Sequence, residues 1–168
     1  MEKSLLHISH EEAQENEARR LKAESALDKA EALIETWFEA YSEGEMTFDN
    51  YCRYVYAALS AKNIEPYARQ KKLGGAIESA LKAKPPKRTR TNKRFNTEGF
   101  VKVCRGLVKL VGEYEKLPIT RMGNTQTAFE RVAELLQNLG VKQATKSTVE
   151  RNYMNFEKDR AVVDKKNS

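Results

Sequence analysis

Thr148, Arg151, Asn152 and Asn155 recur at steps of three and four residues, so a helix through them carries all four on one face. Val149, Tyr153 and Phe156 then take the opposite, core-facing positions. The polar set suits the edges of base pairs. An arginine bonds two acceptors of guanine, an asparagine pairs with adenine, and a threonine meets a thymine methyl or a phosphate. Lys146 and Ser147 stand at the start of this helix, where exposed backbone amides favour an anion. A second group, Lys82, Lys84, Lys87, Arg88, Arg90, Lys93 and Arg94, surrounds Pro85 and Pro86 in an extended stretch. Its chemistry is that of phosphate contact along a backbone or in a minor groove, and its plain alternative is a solubilising linker.

Other constellations carry less. His7 and His10 stand beside Glu11 and Glu12 without enough convergent ligands for a metal site. Cys52 and Cys104 sit in apolar helical patterns with no histidine partner, which points to packing rather than a nucleophile. No Gly-rich phosphate loop or catalytic carboxylate pair is visible, so neither an enzyme nor a cofactor is expected. Tyr54 or Tyr56 is a candidate for an interface, because the tyrosines of that segment cover several faces.

The elements that must position these residues are all helices, and no strand pattern occurs. Glu11 to Tyr41 runs without Pro or Gly, and Ala23, Leu27, Ala30, Ile34, Trp37 and Tyr41 mark one seam. Ser42-Glu43-Gly44-Glu45 stops it. Thr47 caps a second helix with Phe48, Tyr51, Cys52, Val55 and Leu59 on one face, which Asn63 closes. Pro66 opens a third helix to about residue 82, weakened by Gly74-Gly75. Thr97 caps a fourth, striped by Phe100, Val103, Cys104, Leu107, Val108 and Val111, which ends before Pro118. Thr127 and Glu130 form a capping box ahead of Phe129, Val132, Ala133 and Leu136, with Gly140 as the stop. Ser147 and Glu150 form a second box.

The stretch Thr127–Lys158 resembles the helix-turn-helix of bacterial and mobile-element DNA-binding proteins, through Ala133 in the first helix, Val141 after the glycine and Val149 in the second. The resemblance covers 32 of 168 residues, and its turn, Gly140 to Thr145, is six residues against the usual three or four. It implies that the helix from Thr148 is a recognition helix. The organisation expected is an all-α chain: an acidic helical region over 1–81 for dimerisation or partner binding, a basic linker over 82–96, a helical domain over 97–160 with the helix-turn-helix-like pair, and a polar tail over 161–168.

Charge sharpens the division. The net +6 of the chain averages a charge of −7 over residues 1–45 with one of +8 over residues 82–116. Such asymmetry favours an anionic partner for the basic half: duplex DNA first, RNA second. No apolar run reaches the roughly 20 residues of a membrane span, and no secretory signal opens the chain. A cytoplasmic location, nucleoid-associated in a bacterium, follows as the expectation; in a eukaryote, Pro-Pro-Lys-Arg-Thr-Arg would pass for a nuclear localisation signal. Two functions are therefore carried forward. The first is a DNA-binding regulatory or accessory protein. The second is a helical adaptor or inhibitor, such as a phage- or plasmid-borne anti-defence protein, that binds a protein or ribonucleoprotein.

Overall fold

The computed structural model describes residues 10–84 and 97–155, and within them every regular element is a helix. They are α1 (His10–Ser42), α2 (Phe48–Leu59), α3 (Pro66–Ala83), α4 (Thr97–Tyr114), α5 (Ala128–Asn138) and α6 (residues 146–155). The all-α expectation is met. No described helix is long and apolar enough to cross a membrane.

Local chemistry accounts for most boundaries. Thr47 accepts from the Asn50 amide at 3.2 Å to begin α2. Glu65 accepts from the Ala68 amide at 2.8 Å, and Pro66 supplies the first residue of α3. Gly44, at φ 74°, turns the chain out of α1. α2 ends at Leu59, short of Asn63, because Ser60 and Ala61 tighten to three-residue bonds on Ala57 and Ala58. Asn63 instead takes φ 81° in the connection and donates to the Tyr114 carbonyl at 3.3 Å, joining the ends of α2 and α4.

One hydrophobic cluster runs through residues on both sides of the 82–96 stretch, from Ala26 and Trp37 to Val149 and Tyr153. α1 contributes small residues, Ala26 and Ala30, where it meets α4, and aromatic ones further along. Trp37 packs edge-on against Tyr54 at 6.1 Å, and Tyr41 stacks on Tyr51 at 5.6 Å. Tyr54 is thus a core residue, which removes it as an interface candidate, while Tyr56 stays exposed. Across the α1–α4 contact, Lys29 pairs with Glu113 at 2.5 Å and lies over the Tyr114 ring, and the Ser25 and Tyr114 hydroxyls are 3.1 Å apart. The first turns of α1, residues 11–21, are exposed throughout.

Candidate nucleic-acid interface

The Thr127 capping box forms as the residue types require. Thr127 Oγ1 accepts from the Glu130 amide at 3.3 Å, and Glu130 Oε2 accepts from the Thr127 amide at 2.8 Å. Val132, Ala133 and Leu136 are buried behind it. At the other end α5 closes in a Schellman motif: the Gly140 amide donates to Gln137 O and the Val141 amide to Leu136 O, both at 2.9 Å. Leu136 and Val141 are both buried, as that motif's hydrophobic contact requires. Gly140 takes φ 86°, and a Cβ there would collide with the Arg53 guanidinium. Arg53, held by Asp49 at 2.6 Å, donates from Nη1 to the Leu139 carbonyl and so fixes the end of α5 from α2.

The longer turn is filled rather than loose. Val141 and Ala144 are buried inside it, and the Ala144 amide donates to Val141 O at 3.0 Å. α6 begins two residues earlier than the Ser147 box predicts. Thr145 is the cap: its Oγ1 accepts from the Thr148 amide at 3.3 Å and lies 2.8 Å from the Thr148 hydroxyl. Ser147 therefore sits inside the first turn. Burial of Ala144 and Val149 sets this register, since both must reach the core at once. Tyr153 meets Phe129 edge-on at 5.5 Å and attaches α6 to α5.

The six expected contact residues divide into two sets. Ser147, Arg151 and Asn155 are exposed and form one stripe at steps of four residues. The other three have partners within the fold. Lys146 pairs with Glu130 at 2.6 Å, Thr148 meets Thr145, and Asn152 is half-buried with its side chain hydrogen-bonded to the Cys104 thiol. Glu150 and Met154 share the exposed side with the stripe. The linker residues Lys87, Arg88, Arg90, Lys93 and Arg94 lie outside the described residues, as do His7 and Phe156.

Electrostatics reinforce the separation. Lys146, followed by the Thr127 amide, holds the Glu130 carboxyl down at about 2. Burial pushes the Cys104 thiol up to about 12 despite the Asn152 hydrogen bond, and burial raises Cys52 as well, so neither presents a thiolate. Among the described residues no three His, Cys, Asp or Glu side chains converge on a metal position.

Two features were not read from the sequence. Arg53 lies off the apolar stripe of α2, and its bond to Leu139 spans 86 residues, beyond the reach of any local pattern. Lys102, Arg105 and Lys109 form a basic edge on α4 beside α1, a spacing visible in the sequence once the apolar stripe of that helix is assigned. Comparison with other proteins adds no assignment. No family model, curated protein or solved structure matches the chain.

Proposed function

We propose that the protein is a DNA-binding regulatory or accessory factor that presents α6 to a duplex. The observation that carries this reading is the exposed Ser147–Arg151–Asn155 stripe on a helix whose other face, Val149 and Tyr153, is anchored in the core. Arg151 is the residue with the most to contribute, through two bonds to a guanine edge, and Asn155 follows one turn later. Lys146 and Asn152, being engaged within the fold, support the pose of α6 and leave base contact to the stripe.

The test is an electrophoretic mobility assay on duplexes selected from a random pool, repeated across salt. Binding falls steeply with salt, and Arg151→Ala weakens it about tenfold or more at the preferred site. Equal binding by wild type and Arg151→Ala removes α6 as the reading helix.

A second reading, a helical adaptor for a protein or ribonucleoprotein, is favoured by one observation. Residues 11–21 of α1 are exposed on every side, carry Glu11, Glu12, Glu15 and Glu17 against Arg19 and Arg20, and leave Leu21 55% exposed. A partner retained on the protein after nuclease treatment, without duplex binding, selects this reading.

A further inference from the structure

The connection from α4 to α5, residues 115–127, has no regular structure, yet its ends and its tip are fixed. The Ala128 amide donates to the Pro118 carbonyl at 2.9 Å and closes the base. Arg131 of α5 donates to Glu115 at 3.0 Å, and Gln126 donates to Glu134 of α5 at 3.1 Å. At the tip the Thr125 amide returns to the Met122 carbonyl at 3.4 Å around Gly123, which takes φ 64°. Arg121 Nε donates to the Gly123 carbonyl at 3.3 Å. Compact loops of this length with close ends are frequently functional.

The loop presents a methionine and an arginine. Met122 is 72% exposed, Ile119 and Arg121 are exposed near it, and no Asp or Glu occurs from Lys116 to Phe129. The acids at its base are engaged: Glu115 by Arg131, Glu134 by Gln126 and Arg131, and Glu130 by Lys146. The Lys146–Glu130 pair also joins the start of α6 to the first turn of α5, where the loop ends. Lys146 directly precedes Ser147, the first residue of the exposed Ser147–Arg151–Asn155 stripe, so loop and stripe leave the same corner of the fold.

We propose that residues 119–125 enter the minor groove of a duplex, beside the major-groove segment that α6 contacts; this rests on the DNA-reading proposal for α6. Arg121 answers the concentrated negative potential of a narrow minor groove. Met122 is the apolar wedge, the class of side chain that enters between base steps and bends the duplex. A tip this small is short of the roughly 800 Å² that each partner supplies to a stable protein interface. It is of the size that a groove admits.

The full-length protein is tested on two duplexes that share one site selected from a random pool. One ends at the edges of the site, and the other extends about one helical turn, roughly 10 base pairs, on each side. Wild type binds the longer duplex about tenfold more tightly and bends it by about 20° or more, read by gel mobility with the site at different positions. Met122→Ser and Arg121→Gln bind the short duplex as wild type does and lose most of the gain from the flanks. Met122→Ser also loses the bend, and Arg121→Gln lowers the slope of log affinity against log salt by about one. The proposal falls, and α6 stands, if both variants keep the flank gain or if Met122→Ser bends the duplex as wild type does. Both fall if wild type binds neither duplex. A protein retained by wild type and lost by Met122→Ser, with no effect of the flanks, overturns the groove contact in favour of a protein-docking loop.

Discussion

α3 and α5 are both capped amphipathic helices, yet they are attached to the molecule in opposite ways. α3 spans 18 residues and buries one of them, Ala80; α5 spans 11 and buries five. α3 is further held by the Lys72–Glu31 ion pair and carries Tyr67 and Leu81 in the open. α5 has a reciprocal cap at one end, a Schellman closure at the other and an arginine from α2 on its last carbonyl. Capping decides where a helix begins, whereas burial decides what its loss costs the rest of the molecule.

The contrast can be broken at its strong end. Leu136→Ala removes a fully buried side chain that packs in the α5 closure, and is expected to lower the unfolding free energy by about 3 kcal/mol in urea denaturation. A loss below about 1 kcal/mol would mean that α5 is as loosely attached as α3. Gly140→Ala forces a side chain into a left-handed backbone and against Arg53, costing about 1–2 kcal/mol from the backbone alone. The double variant with Arg53→Ala recovers only the collision, and measuring both separates the two contributions.

Acid acts on the same helix. Glu130 is held at about 2 against an ordinary 4.5, so its folded form binds a proton less readily than its unfolded form. The resulting stabilisation is complete above the unfolded value and is lost as pH falls from about 4.5 towards 2. Wild type is therefore expected to lose more stability than Glu130→Gln between neutral pH and about pH 3. Parallel slopes for the two proteins would show that the Lys146 and Thr127 contacts add nothing to folding.

The smallest expected effect lies in α3. Gly74 and Gly75 have open space where a Cβ would stand and no left-handed backbone. Alanine at either position is expected to stabilise the helix by about 0.5–1 kcal/mol. Amide exchange sharpens the point. If α3 opens ahead of the core, the gain appears in α3 protection and leaves the global midpoint unchanged.

The helices were legible from the sequence wherever one local signal governed. Pro66, the Thr127–Glu130 box and the Ser42–Glu45 stop each depend on neighbours within four residues, and the structure shows helix boundaries at each. The start of α6 was misread because Thr145 and Ser147 are equally good caps. Only the burial of Ala144 and Val149, a tertiary fact, chooses between them. The helical-wheel face that offered Asn152 to a ligand could not reveal the Cys104 thiol waiting on α4. Nor could periodicity show that α1 and α4 meet at Gly106, since that contact joins positions far apart in the chain.

Arg53 and Gly140 also bind the history of the molecule at two distant points. A lineage that replaces Gly140 must tolerate both a strained backbone and a displaced guanidinium, while one that first loses Arg53 has met only half of the obstacle. Position 140 is therefore the slower of the two to drift. Among descendants of this chain, variation at 53 should come first and variation at 140 only in its wake.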